Sequence, residues 1–310
     1  MSRIFDALQR SGAEQSGVEY PDMVSVATAV FEATLGQEAI AETTPAPVEE
    51  PVVEMQLAGS RDTGAEISPE DKTISAQSFP SLEVSFAPDS HLVFFTQPES
   101  LAAEKFRFLS VRLRQIRQNR PLKKVLVTST IPEEGKSLVT ANLAGALARR
   151  KERVLLIEGD LRRPVLAQEL GLGTLFGVAE WLQGRNQTLT NIYHLNGPGF
   201  WIMPAGHPPA NPLELMQSGR LSALMRQVAD SFDWVIVDSP PLLPLADTTV
   251  WSRFTDGTLL VAREGTTQKG PLQRGLEVIK KSNLLGVVLN GCTDVDHENY
   301  YRRYAPSASQ

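Results

Sequence analysis

Residues 125–147, with the sequence VLVTSTIPEEGKSLVTANLAGAL, decide the fold because they combine a strand, a turn and the start of a helix. The apolar run KVLVTS at 124–129 predicts a buried strand. Pro132 and Gly135 then predict a tight turn, and a helical pattern follows over 136–150. A strand that leads directly into a helix is the repeating unit of α/β domains.

The same alternation continues to residue 290. It predicts strands at 124–129, 153–159, 200–206, 233–239, 257–263 and 284–290, and helices at 136–150, 162–170, 175–184, 212–230 and 269–282. Strands that are apolar throughout and alternate with helices indicate an α/β fold with a doubly wound, mainly parallel sheet. Ligands of such sheets bind at the carboxyl ends of the strands.

The charge distribution divides the chain. Residues 1–98 carry 4 Lys/Arg and 16 Asp/Glu, whereas residues 99–310 carry 26 and 20. The acidic part is rich in Pro, Ser and Thr and cannot bury enough apolar surface to offset its chain entropy. We therefore predict four regions: a short docking helix at 1–14, a disordered acidic linker at 15–90, a compact domain at 91–292 and a tail at 293–310. Residues 91–98, HLVFFTQP, are β-prone and are predicted to pack against the domain as its first ordered segment.

The location of the protein follows from what the sequence lacks. A single cysteine, Cys292, excludes a disulfide framework and fits a reducing compartment. No stretch approaches the ~20 apolar residues of a membrane span, and the first residues have no signal-peptide core. The expectation is a cytoplasmic protein.

The turn after the first strand of this domain resembles a phosphate-binding loop. Thr130 to Ser137 match the pattern G-x-x-x-x-G-K-[ST] except at the first glycine. In such a loop backbone N–H groups surround the phosphates, so the side chains of the two glutamates are expected to point to solvent. The predicted nucleotide-binding residues are Ser129, Thr130, Ile131, Pro132, Glu133, Glu134, Gly135, Lys136, Ser137 and Leu138.

Three carboxylates follow two other predicted strands. Glu158 and Asp160 end VLLIEGD, spaced to lie on the same side of the strand, and Asp238 follows WVIV. Magnesium prefers oxygen ligands and needs only one or two protein carboxylates. The loop and the acids together predict ATP or GTP binding with Mg²⁺.

These motifs resemble those of the bacterial tyrosine kinases, the cytoplasmic partners of polysaccharide chain-length regulators in capsule and exopolysaccharide export. The resemblance rests on TSTIPEEGKS, LLIEGDLRRP, DWVIVDSPP, ESLAAEKFRFLSVRLR, PPANPLELMQS and a tyrosine-bearing tail, and it covers roughly 90–305. It implies ATP as the nucleotide, with Lys136 on the outer phosphates and Ser137, Asp160 and Asp238 around Mg²⁺. It also implies that Glu158, in place of the usual aspartate, orients or deprotonates the acceptor hydroxyl, and that Asn290 contacts adenine.

The resemblance extends to partners. The family's self-association motif, Glu-x-x-Arg-x-x-Arg, is matched at Glu104 and Arg107 but has Ser110 at its third position. The implied partner is an inner-membrane chain-length regulator, which would place the protein at the inner membrane peripherally, through that partner. The basic segment 105–124 has too few aromatic residues for a nucleic-acid motif.

Three of the five tyrosines lie close together in the tail: Tyr300, Tyr301 and Tyr304. The strand predicted at 284–290 ends at the sheet edge that holds the nucleotide, and ten further residues reach at most ~35 Å. The tail tyrosines are therefore predicted to be autophosphorylation sites.

Two alternatives remain open from the sequence. One is a nucleotide switch like the partitioning and septum-placement ATPases, which usually carry an additional lysine early in the loop, where this chain has Thr130 and Ile131. The other is an adaptor that binds ATP but is catalytically weak, because Glu158 and Ser110 depart from the family pattern.

Overall fold

The structure, a computed structural model, describes residues 79–86, 90–185, 189–243, 245–279 and 283–292. The predicted docking helix, most of the predicted linker and the tyrosine-bearing tail lie outside these residues. Within them no helix is long and apolar enough to cross a membrane.

The described elements alternate between strands and helices along the chain. The strands are β1 (Ser81–Glu83), β2 (Lys124–Ser129), β3 (Val154–Glu158), β4 (Tyr193–Asn196), β5 (Phe200–Met203), β6 (Trp234–Asp238), β7 (Gly257–Arg263) and β8 (Leu284–Asn290). The helices are α1 (Val93–Thr96), α2 (Leu101–Asn119), α3 (Lys136–Ala148), α4 (Leu166–Glu169), α5 (Val178–Leu182), α6 (Pro212–Met216), α7 (Arg220–Ser231), α8 (Asp247–Ser252) and α9 (Lys269–Ile279).

The described strands form one eight-stranded sheet in the order β1-β4-β5-β3-β6-β2-β7-β8. Every neighbouring pair is parallel except β4 and β5, which are antiparallel. The predicted mainly parallel α/β sheet is therefore confirmed. Because the central strands are parallel, β2, β3, β6, β7 and β8 all end at the same edge.

Both faces of the sheet are covered, as doubly wound folds require. Alternation along β2 puts Val125 and Val127 in one core cluster with α3, and Leu126 in a second cluster with α5, α7 and α8. Helix α3 is buried on nearly all sides, which its Ala-rich, weakly amphipathic sequence allows. Its buried Asn142 accepts a hydrogen bond from the backbone N–H of Phe94 at 2.8 Å, so the segment before α2 is fixed to α3.

The structure corrects three predicted boundaries. β1 lies inside the range predicted to be a linker, where Phe79 stacks on Phe232 with ring centroids 5.8 Å apart. Residues 93–96 of the β-prone segment form a short helix instead of a strand. This helix packs on α3, as predicted for the segment. It is not the first ordered segment, because β1 precedes it. The helix predicted over 212–230 is two helices, because Gly219 adopts a left-handed φ of 79° between them.

β4 was missed because it is short, largely polar and joined to β5 by a tight turn. Its pattern, YHLN, has a single fully buried residue, Leu195.

The position of β1 leads to a prediction about truncation. A chain beginning at residue 78 should unfold with the same cooperativity and stability as the full chain. One beginning at residue 91 should lose about 1–3 kcal/mol of stability, because it lacks the β1–β4 pairing and the burial of Phe79. Urea unfolding of both chains measures this, with Phe79→Ala in the longer chain as the intermediate case. Equal stability of the two chains would show that β1 contributes nothing.

Candidate active site

The loop between β2 and α3 has the backbone of a tight anion-binding turn. Gly135 caps α3 in the left-handed region with φ 86°, and Glu133 has φ 67°. The side chain of Asn290, at the end of β8, donates a hydrogen bond to the Glu134 carbonyl at 3.0 Å. A side chain at position 135 would displace the Asn290 amide from this contact, and the left-handed φ independently favours glycine there. The loop is therefore held against the end of β8.

The two glutamates of this loop behave differently, which corrects one prediction. Glu133 is exposed, as expected, but the side chain of Glu134 is fully buried. Its carboxylate accepts hydrogen bonds from the backbone N–H groups of Thr130 at 2.7 Å and Ile131 at 3.0 Å. It also accepts from the hydroxyls of Thr130 and Thr267. Burial is tolerated because these donors saturate the carboxylate.

The predicted lysine, hydroxyl and two of the acids converge at the carboxyl edge of the sheet. The Nζ of Lys136 lies 3.5 Å from Oδ2 of Asp160 and 4.0 Å from Oδ1 of Asp238. It also lies 3.3 Å from the hydroxyl of Ser137. The cationic group that would face outer phosphates thus lies beside both carboxylates.

Asp238 is a buried carboxylate whose surroundings suit a cation. It is 1% exposed, and neither carboxylate oxygen accepts a hydrogen bond from the described residues. Burial raises the pKa of Asp238 to about 6, although the nearby Lys136 ammonium lowers it. A buried carboxylate without a hydrogen-bond donor is costly unless a cation approaches it. These residues therefore fit Mg²⁺, with Ser137, Asp160 and Asp238 as the side chains that would hold it.

The donor set is small, as expected for magnesium beside a nucleotide. Among the described residues there is no group of three or more His, Cys, Asp or Glu side chains that could hold a metal alone. Mg²⁺ usually takes one or two carboxylates and completes its shell with water and phosphate oxygens.

Asp160 is positioned by the loop that follows β3. Its Oδ1 accepts hydrogen bonds from the backbone N–H groups of Arg162 at 3.3 Å and Arg163 at 3.0 Å. The Arg162 guanidinium in turn binds the buried Asp247 of α8 at 2.7 and 3.1 Å. Sequence reasoning missed Asp247, although its position shortly after the Asp238 strand is a usable signal.

Glu158 is the last residue of β3, and its hydrogen-bond partners differ from those of Asp160. One oxygen accepts from the Leu166 N–H at 2.6 Å and the other from the Ala205 N–H at 3.1 Å. Burial raises the pKa of Glu158, and these backbone hydrogen bonds lower it. These backbone hydrogen bonds tie α4 and the loop after β5 to β3, and the role that the resemblance implies for Glu158 stays a prediction.

The predicted self-association residues make contacts within the chain. Glu104 and Arg107 form an ion pair at 2.7 Å, and Arg107 also donates to the Pro98 carbonyl. Ser110 is buried and accepts from Arg114 at 3.1 Å. Two apolar side chains on the same helix, Phe108 and Val111, are exposed.

With this geometry established, comparison with known proteins identifies the family. The family described as "CobQ/CobB/MinD/ParA nucleotide binding domain" matches residues 125–305. The tyrosine-protein kinase YwqD of Bacillus subtilis (strain 168) is 32% identical over 212 residues, which cover 68% of this chain and 90% of YwqD. The chain belongs to the bacterial tyrosine kinase family.

The other similarities agree with this assignment. The kinase domain of the Escherichia coli tyrosine kinase ETK is a structural match, with a TM-score of 0.61 and 28% identity over 66% of this chain and 82% of that one. The tyrosine-protein kinase ptk of Acinetobacter johnsonii is 37% identical to the present chain over 167 residues. The matched residues cover 54% of the present chain but only 22% of the length of ptk. The family, the fold and the enzyme class predicted from the sequence are confirmed.

Proposed function

We propose that this bacterial tyrosine kinase is an ATP- and Mg²⁺-dependent autokinase that phosphorylates its own C-terminal tyrosines. The observation that carries the proposal is the convergence of Lys136, Ser137, Asp160 and Asp238 beside the end of β8. The family supplies the enzyme class. The tail that begins after β8 supplies the acceptors Tyr300, Tyr301 and Tyr304.

In the proposed reaction the phenolic oxygen of a tyrosine forms a bond to the γ-phosphorus as the bond to the β–γ bridging oxygen breaks. The products are phosphotyrosine and ADP, and the phenolic proton leaves to a carboxylate or to water. Lys136 would move from the acids to the outer phosphates and neutralise charge there. Bound Mg²⁺ would supply further charge neutralisation on the phosphate oxygens.

Asp160 is the carboxylate best suited to orient the acceptor hydroxyl. It lies beside Lys136, and its Oδ2 is not used by the backbone N–H groups that hold Oδ1. Glu158, to which the family resemblance assigns this role, accepts backbone hydrogen bonds on both oxygens. Catalysis would therefore depend mainly on positioning and electrostatics.

The cellular role that we propose is regulation of exopolysaccharide polymerisation and export, with an inner-membrane chain-length regulator as partner and activator. The protein would act in the cytoplasm, peripherally at the inner membrane. Support comes from the family resemblance. Phosphorylation of all three tail tyrosines would add roughly −5 to −6 charges, enough to repel the tail from an acidic site or to separate subunits.

The test is to incubate the purified full chain with ATP and Mg²⁺, with and without a cytoplasmic fragment of the membrane partner, and to map phosphate by mass spectrometry. Phosphate is expected on Tyr300, Tyr301 and Tyr304. Changing all three tyrosines to Phe should remove at least nine tenths of the label, ~10-fold or more, because each acceptor hydroxyl is gone. ATP binding should be unchanged.

The same experiment separates the alternatives. Release of inorganic phosphate without tyrosine label, even with the partner fragment, would indicate the nucleotide switch. ATP binding with neither label nor phosphate release would indicate the adaptor.

A further inference from the structure

The buried carboxylate of Glu134 joins two loops at the nucleotide edge of the sheet. On one side it accepts from Thr130 and Ile131 at the start of the phosphate-binding loop. On the other it accepts from the hydroxyl of Thr267, in the loop between β7 and α9. Thr267 is itself buried, and its hydroxyl accepts from the Arg263 N–H at 2.7 Å. The four residues form one hydrogen-bonded unit with Arg263.

This unit stands where the loop departs from its usual pattern. Position 130 carries threonine instead of glycine, and the N–H groups of Thr130 and Ile131 face the Glu134 carboxylate. The left-handed conformation of Glu133 and Gly135 lets the chain reverse on either side of Glu134. The Glu134 side chain thus accepts hydrogen bonds from the N–H groups at the beginning of the loop. The N–H groups nearer α3 can then bind an anion.

The charge of Glu134 makes its location informative. A carboxylate inside a loop that binds a polyanion repels the ligand, and the repulsion is stronger in a buried site. Phosphate binding alone would therefore favour a neutral residue at position 134. The hydrogen bonds favour a carboxylate there, because both of its oxygens are acceptors and together they accept from all these donors.

We infer that Glu134 is a positioning residue for nucleotide binding, which fixes the phosphate-binding loop to the β7–α9 loop through Thr267. Its role is to hold the loop in the anion-binding conformation, although its negative charge repels the phosphates. The inference concerns nucleotide affinity and does not depend on which residue accepts the phosphoryl group.

The first test compares Glu134→Gln with Glu133→Gln, because both remove one negative charge from neighbouring positions of the same loop. Affinity for ATP in the presence of Mg²⁺ is measured by titration calorimetry on the full chain. Glu134→Gln should weaken ATP binding by about tenfold, since a glutamine amide presents N–H groups to donors. Glu133→Gln, at an exposed side chain, should tighten binding by about twofold through lost repulsion, and less at high salt.

The second test addresses Thr267. Thr267→Val removes the hydroxyl at nearly constant volume and should weaken ATP binding by about three- to fivefold, whereas Thr267→Ser should restore most of that loss. The double variant Glu134→Gln/Thr267→Val should bind only slightly more weakly than Glu134→Gln alone, because both changes break the same unit.

Glu134→Gln that binds ATP as tightly as the unmodified chain, or more tightly, would overturn the inference. If Glu134→Gln does not fold, Thr267→Val decides: undiminished ATP affinity in that variant would overturn the inference equally.

Discussion

Replacing Lys136 by Ala should reduce nucleotide turnover by about 10²–10³-fold, the usual effect of removing a group that stabilises developing charge on a transferring phosphoryl group. Lys136 is the cation placed between Asp160 and Asp238, at 3.5 and 4.0 Å. Without it the outer phosphates would approach these two carboxylates without the cation that lies beside both. ATP affinity should fall together with turnover, because the proposed contact of the lysine with the phosphates exists before and during transfer.

The matched control is Lys151→Ala, which removes an exposed lysine from the turn after α3. Turnover is measured as label and as phosphate release, and affinity by calorimetry. Lys136→Ala with undiminished ATP affinity and label would show that the loop does not bind the nucleotide in this way. An equal loss in Lys151→Ala would show a general charge effect.

Asp238→Asn should produce the second large effect: it should lower turnover but raise the stability of the fold. Turnover should fall by about 10²-fold or more, because the amide is a poor substitute for a carboxylate on Mg²⁺. The protein without ligand should become more stable above pH 6. The reason is that Asp238 is buried without a hydrogen-bond donor, and a neutral amide avoids the cost of burying its charge.

The pH dependence follows from the raised pKa of Asp238. Its folded value of about 6 exceeds the ordinary value of 3.8, so the folded protein binds more protons than the unfolded chain between these values. This group therefore lowers stability as pH rises from about 4 to 6, by about 3 kcal/mol at most. Asp238→Asn should remove that slope.

Thermal unfolding of both proteins from pH 4.5 to 7.5, with and without Mg²⁺ and ATP, measures both effects. Mg²⁺ and ATP should stabilise the unmodified protein much more than Asp238→Asn. Unfolding temperatures that change with pH identically in the two proteins would contradict the assignment of the slope to Asp238.

Much of the fold could be predicted because its signals are local. The strands that become β2, β3, β6 and β7 are apolar and fully buried over most of their length, so composition alone indicates them. The residues at their carboxyl ends then fall at one edge by topology. This is why the sequence alone could predict that Lys136, Asp160 and Asp238 lie close together.

Several features that the sequence did not reveal depend on contacts that are distant in sequence. Glu134 was expected in solvent because its partner Thr267 lies 133 residues away. Nothing local in the sequence indicates that the Ala205 N–H would donate to one oxygen of Glu158. β1 is three residues long and exists through its pairing with β4. Such interactions cannot be read from periodicity.

The contact between Gly135 and Asn290 has a consequence for how this protein can change during evolution. The Asn290 amide fills the space that a side chain at 135 would need, and it also holds the neighbouring carbonyl of Glu134. The effect of a substitution at one position therefore depends on the residue at the other. A smaller residue at 290 would open room at 135 but free the loop, whereas a larger one would push the loop from its place. The last residue of β8 thus constrains the nucleotide-binding loop, while the left-handed φ of Gly135 disfavours any other residue at 135 whichever side chain stands at 290.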